Sequence, residues 1–142
     1  MNLTPQRVAI YRTLLESTDH PTPEVLFSRV QPQMASLSLA TIYKTLEALT
    51  RLHLVAELPA TGQSRRFDAN MARHQHLVCT GCGLLTDHRD AKLERVEAPR
   101  ELDGFVPHSV HIHIHGLCRD CARGKTSKKK HPKQPATKGR TT

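Results

Sequence analysis

Two pairs of cysteines, Cys79-Thr-Gly-Cys82 and Cys118-Arg-Asp-Cys121, constrain this chain more than any other feature. Each C-x-x-C knuckle turns two thiols toward one point, and two knuckles supply the four corners of the tetrahedron that zinc prefers. The 35 residues between Cys82 and Cys118 exceed the gap of an ordinary zinc finger. The pairs are therefore expected to join the beginning and the end of a small sheet. Gly81 and Gly83 allow the tight turn beneath a metal. Rival uses of such cysteines are a redox pair, an iron site or disulfides. A redox pair needs one motif at the start of a helix, and both motifs here sit among strand-like residues, which favours structural zinc.

At 142 residues the chain suits one ordinary domain or two very small ones. Units that small bury little core and gain from a metal or a partner chain. No apolar run approaches the ~20 residues of a membrane span, and the opening MNLTPQRVAIYR lacks the layout of a secretory signal. Thiols in such a chain are expected to stay reduced, which implies the cytoplasm. The formal charge is +8, but seven basic residues (Lys125, Lys128, Lys129, Lys130, Lys133, Lys138 and Arg140) fall after residue 124 with no acid among them. Without those seven, residues 1–124 carry +1. Residues 125–142 read as a disordered basic tail that adds salt-sensitive phosphate attraction without sequence preference. Charge alone does not make this a DNA-binding protein.

The order of elements says more. Val8, Tyr11, Leu14 and Leu15 recur at helical spacing behind Thr4 as N-cap and Pro5 at the first position. Thr22 and Pro23 repeat that signature for a second helix that turns Val25, Leu26 and Val30 inward. Ser38 starts a third, with Ile42, Leu46 and Leu49 as its stripe. The period then changes to strand-like at 54–58 and 64–68, around a turn at Pro59-Ala-Thr-Gly62. Three helices and a hairpin are the order of a winged helix-turn-helix, whose third helix enters the major groove. Periodicity alone fits a plain helical core with a hairpin equally well. Residues 74–121 form a separate segment: strands at 76–79 and 84–87, a helix over Lys92–Leu102 interrupted at Pro99, and a strand from Val110 to His115. In that last strand Val110, Ile112 and Ile114 face one way and His111, His113 and His115 the other.

His20, Asp68, His74, Asp87 and His76 make a second candidate ligand set. Imidazole with carboxylate suits harder divalent ions such as iron(II) and manganese(II) better than thiolates do. Ten histidines in 142 residues also make chance neighbours easy, so polar surface residues stand as the rival reading. The histidines at 111, 113 and 115 read first as a solvated strand face.

Taken together, these blocks make residues 3–122 resemble the ferric uptake regulator family, most of all its peroxide-responsive branch. The matching pieces run in the family's order: Leu3-Thr-Pro-Gln-Arg7, His20-Pro-Thr, Ser38-Leu-Ala-Thr-Ile-Tyr43-Lys-Thr-Leu46, Arg66-Phe-Asp68, His74-x-His-x-x-Cys79-x-x-Cys82-Gly, Asp87 and Gly116-Leu-Cys118-x-x-Cys121. The resemblance implies an α+β fold, with a winged-helix DNA-binding domain at 1–69 and a small α/β dimerisation and metal-binding domain at 70–124. It implies a homodimer on palindromic double-stranded DNA, with structural Zn2+ on the four cysteines. A regulatory Fe2+ or Mn2+ would take ligands from His20, Asp68, His74, His76 and Asp87. Tyr43 matches the family's recognition-helix tyrosine, with Thr41, Ser38 and Lys44 in the same DNA-binding set, and Arg7 matches a backbone-contacting arginine.

Aspartate at both 68 and 87 is similar to the peroxide-sensing branch, where iron(II) reacts with peroxide and a ligand histidine is oxidised, releasing DNA. The residues matching those targets are His20 and His74. Iron- or manganese-uptake regulation by metal level alone is the alternative. Arg73, Gln75 and Val110 occupy the ligand positions of a further site that iron and zinc sensors carry. His53 stands where the family has the glycine that ends the recognition helix. The chain starts past the family's first helix, which implies the loss of an N-terminal DNA contact. An iron oxygenase or hydrolase would need a substrate pocket and a positioned acid or base, and none is recognisable; a zinc-stapled adaptor leaves the Ala40-Thr-Ile-Tyr43 block unexplained. The expectation is a repressor, not an enzyme.

Overall fold

In the computed structural model, which describes residues 1–58 and 64–124, each of the first three helices begins where a capping side chain and a suitable first residue coincide. Helix α1 (Pro5–Glu16) starts behind Thr4, whose hydroxyl accepts from the Arg7 amide. Helix α2 (Pro23–Val30) starts behind Thr22 in the same way, with Val25 N–H as donor. Helix α3 (Leu39–Arg51) starts behind Ser38, whose Oγ accepts from Thr41 N–H. A single 3-10 turn, Gln31–Gln33, links α2 to the approach of α3. The strands β1 (Ala56–Leu58) and β2 (Arg66–Asp68) then pair antiparallel, Ala56 opposite Asp68. The expected turn at 59–62 and the basic tail at 125–142 lie outside the described residues.

The chain divides into two compact units that meet between Met71 and Ala72. The first packs Ile10, Leu14, Leu26, Val30, Leu37, Ile42, Leu46, Leu49, Val55, Phe67 and Ala69 into one core. All three predicted stripe residues of α3 are in it. The α1 stripe is rotated from the expected one: Ile10 and Leu14 are buried, whereas Leu15 is exposed and Val8 and Tyr11 only line the edge. A 12-residue helix with so weak a stripe leaves its buried face to be chosen by its neighbours.

The second unit is a three-stranded sheet of order β4-β3-β5, with β3 (Gln75–Cys79) antiparallel to β4 (Leu85–His88) and parallel to β5 (Ile112–Gly116). A parallel neighbour requires a crossover, which residues 89–111 provide. The helix expected over Lys92–Leu102 is only one turn, α4 (Ala91–Glu94), capped by Asp90. Its end is fixed from outside: the Arg73 guanidinium donates to the carbonyls of Glu94 and Val96, at 2.8 and 3.3 Å. Pro99 and the left-handed Asp103 and Gly104 then prevent a restart. The last element, α5 (Arg119–Ala122), follows Cys118 directly.

Candidate metal centres and recognition helix

The four cysteines are gathered by the second unit alone. Cys79 ends β3, Cys82 closes the turn that follows, and Cys118 and Cys121 sit at and within the single turn of α5. Their Sγ atoms all lie within 4.8 Å of one another, and none is in a disulfide. Cys82 and Cys118 Sγ are 3.8 Å apart, which is the edge of a tetrahedron with metal–sulfur bonds of about 2.3 Å. Backbone N–H groups of Cys118 and Cys82 point at Cys79 Sγ, at 3.3 and 3.5 Å. These donors hold the Cys79 thiol down at a pKa of about 6. The Cys118 thiol beside Cys121 pushes the latter up to about 12, as expected of crowded thiols that cannot all ionise without a cation. A Cβ added at Gly81 would meet Cys121 Sγ at 3.0 Å, so only glycine lets the first knuckle come this close to the second. Gly83 reverses the chain at φ +79°. Donor type, spacing and amide support all fit zinc. Contrary to the expectation from sequence, the second pair stands at a helix start. What separates the cluster from a redox pair is the convergence of all four thiols.

The histidines and aspartates fall into two groups, one per unit. In the first unit His20 Nδ1 lies 3.6 Å from Asp68 Oδ2, both buried. His20 has the left-handed backbone φ of +50° in the turn between α1 and α2. Asp68 ends β2, and its Oδ1 accepts from the Asn70 amide at 2.8 Å. In the second unit His74 and His76 Nε2 are 3.0 Å apart, and Asp87 Oδ1 lies 3.4 and 3.3 Å from them. Asp87 is the cross-strand partner of His76, which is why one carboxylate reaches both rings. His74 Nδ1 lies 2.6 Å from the Ala72 carbonyl, which can only accept, so Nδ1 carries the proton and Nε2 the lone pair. Two nitrogens about 3 Å apart are also what adjacent ligands at about 2.1 Å from one ion require. The Ala72 carbonyl left no mark in the sequence, because any residue supplies one.

On α3, Ser38 and Thr41 are bonded to each other, at 2.9 Å between hydroxyls, so Ser38 first serves to start the helix. Tyr43 and Lys44 are exposed. Tyr43 Oη donates to Glu24 Oε1 at 2.5 Å, a contact the sequence reading missed, and partial burial with this carboxylate pushes the phenol up to about 12. Arg7 is half-buried and donates to the Asn2 carbonyl at 2.7 Å. His53 follows the end of α3 at φ +58°, with Leu54 N–H bonded back to the Leu49 carbonyl, the turn that glycine usually makes.

The sequence profile of the Ferric uptake regulator family matches residues 1–115. The chain belongs to the ferric uptake regulator family. Among relatives, the peroxide-responsive repressor PerR of Staphylococcus saprophyticus is 37% identical over 123 residues, covering 85% of this chain and 82% of that protein. The crystal structure of the Campylobacter jejuni peroxide stress regulator superposes with a TM-score of 0.66 at 29% identity, covering 82% of this chain and 89% of that one. The Helicobacter pylori ferric uptake regulator, at 19% identity and TM-score 0.65, covers 86% of this chain and 83% of its own and shares the fold. The ferric uptake regulator family comprises metal-responsive, DNA-binding regulators that act as dimers. No helix among the described residues is long and apolar enough to cross a membrane.

Proposed function

We propose that this chain is a cytoplasmic, metal-dependent repressor that binds a palindromic operator as a homodimer and releases it when peroxide oxidises its regulatory site. The observation that carries this reading is the pair of His74 and His76 nitrogens 3.0 Å apart beside one Asp87 oxygen, with the His74 tautomer set by a backbone carbonyl. Identity to peroxide-responsive repressors and aspartate at both carboxylate positions support the peroxide branch.

Residues 1–69 serve as the winged-helix domain and 70–124 as the dimerisation domain. Cys79, Cys82, Cys118 and Cys121 hold Zn2+, tying the end of β3 to the end of β5. His20 and Asp68 in one unit, with His74, His76 and Asp87 in the other, hold the regulatory ion. Because these ligands come from both units, loading favours the conformations in which they converge, and the operator selects among those. Iron(II) held by these residues would supply the electron that peroxide cleavage needs, whereas manganese(II) would not. His20 and His74 would be the imidazoles that take up an oxygen atom from peroxide, and the oxidised ring would be a poorer ligand. Tyr43, Thr41 and Lys44 face the operator from α3, Ser38 fixes where that helix begins, and Arg7 takes a phosphate. Exposed Leu77, Ile114 and Leu117, around an apolar groove on the second unit, support pairing of two copies there.

The test is operator binding by the zinc-loaded protein carrying iron(II) or manganese(II), before and after near-stoichiometric peroxide. Irreversible release by the iron form, with the manganese form still bound and with added oxygen on His20 or His74 by mass spectrometry, is the expected result. If both forms survive peroxide and binding follows metal concentration alone, the chain is an iron- or manganese-uptake regulator.

A further inference from the structure

A phenol hydroxyl carries one proton and two lone pairs, so a free tyrosine offers a base either a donor or an acceptor and tells the two apart poorly. Tyr43 is not free in that sense. Its Oη donates to Glu24 Oε1 at 2.5 Å, and the pair joins the fifth residue of α3 to the second residue of α2. Tyr43 is 37% exposed and Glu24 half-buried, so the contact lies at the surface beside the first turns of α3. Partial burial and the Glu24 carboxylate keep the phenol protonated at neutral pH, and its single proton is committed to Glu24. Arg65, the cation whose charge reaches Tyr43, is itself held by both oxygens of Glu57, at 2.6 and 2.7 Å. What Tyr43 Oη has left to offer is its lone pairs.

We propose that Glu24 is a specificity-determining residue of the DNA-reading face: by holding the Tyr43 hydroxyl proton it makes Tyr43 an acceptor only, matched to a base edge that donates, adenine N6 or cytosine N4. The inference rests on the operator-reading role of α3 proposed above. Guanine O6 and thymine O4 occupy the corresponding places with acceptors. Those oxygens meet the Tyr43 lone pairs and the Glu24 charge with no proton between them. Lys44, the next residue, carries donors only and suits the acceptor edges instead. Helix α3 thus presents a fixed acceptor and a fixed donor side by side. An acid on this face has a cost, because it weakens attraction to every phosphate backbone alike. The gain is discrimination: a mismatched base leaves a desolvated acceptor unpaired, and that penalty falls on the wrong sequence alone.

In the experiment the full chain, loaded with zinc and manganese(II), selects from a pool of palindromic duplexes randomised within the half-sites, and the bound duplexes are sequenced. The unsubstituted protein is compared with Tyr43→Phe, Glu24→Ala and Glu24→Gln. The base pair at which Tyr43→Phe loses preference is the one Tyr43 reads. There the unsubstituted protein should favour adenine over guanine, or cytosine over thymine, by roughly tenfold. Glu24→Ala should cut that preference by at least about threefold at this base pair and leave the others unchanged, while binding of mismatched duplexes rises. Glu24→Gln keeps the size of the side chain, and its amide can donate to Tyr43 Oη; it should relax the preference in the same direction, which separates the effect from misfolding. In a Tyr43→Phe background, Glu24→Ala should change no base preference. An affinity that shifts equally for all duplexes in Glu24→Ala overturns the proposal, since that is the signature of charge or helix stability alone. So does a Tyr43 position that prefers guanine or thymine. If Tyr43→Phe alters no base preference, the proposal falls together with the reading of Tyr43. If it does, and Glu24→Ala leaves that preference intact, the role of Glu24 falls and the repressor reading stands.

Discussion

At the residue scale, the informative positions are those whose backbone or neighbours tolerate few side chains. His53 makes the turn after α3 at φ +58°, a conformation that costs an ordinary L-residue roughly 1 kcal/mol. Replacing it with glycine removes that cost and returns part of it as lost unfolded-state restriction. His53→Gly is expected to stabilise the first unit by roughly 0.5 kcal/mol, raising its melting midpoint by about 2–4 °C; an unchanged or lower midpoint in a thermal melt would count against a strained turn. Gly81 shows the opposite constraint. A methyl there meets Cys121 Sγ at 3.0 Å and Leu117 Cδ2 at 3.2 Å, so Gly81→Ala should lose zinc to a competing chelator at least tenfold faster. Equal release rates would mean the second knuckle can retreat at no cost. The glycines and cysteines were legible in the sequence because their roles follow from residue type. The Ala72 carbonyl that fixes the His74 tautomer was not, since its role depends on where the backbone passes.

At the element scale, starts were easier to read than stops. Thr4, Thr22 and Ser38 each cap the helix they were expected to cap, because the signal lies within four consecutive residues. The end of α4 was misread, because it is set by Arg73, twenty-one residues from Glu94 in the chain. On α3 the helix-starting role of Ser38 and the proposed DNA-reading role of Tyr43 separate by experiment. Ser38→Ala removes the cap and should cost about 1 kcal/mol in urea unfolding. Tyr43→Phe deletes an exposed hydroxyl bonded to Glu24 and should change stability far less, while operator affinity falls on the order of tenfold. A Tyr43→Phe protein that unfolds earlier but binds normally would assign the tyrosine to the packing of α2 on α3.

At the scale of the whole molecule, the two units rest on different physics. The first buries eleven residues in a continuous core. In the second, the buried hydrophobic residues among those described are Val78, Cys79 and Leu85, too few to offset the ordering of more than fifty residues. Stripping zinc with a strong chelator is therefore expected to unfold residues 72–124 and leave α1, α2 and α3 intact. Amide hydrogen exchange reads both at once, and continued protection of β3 and β5 after zinc removal would show that the sheet does not depend on the metal.

The sequence by itself determined the elements whose causes are local and the motifs whose spacing is chemical: three capped helices, a pair of short strands, two cysteine knuckles, and a set of candidate ligands whose order along the chain marks the family. Tertiary structure alone decided which face of α1 is buried, that Arg73 ends α4, that one Asp87 oxygen serves two imidazoles, and that His113 stacks on His76. Those depend on which distant segments meet, and a meeting between segments is a property of packing and strand register that no short stretch of sequence contains.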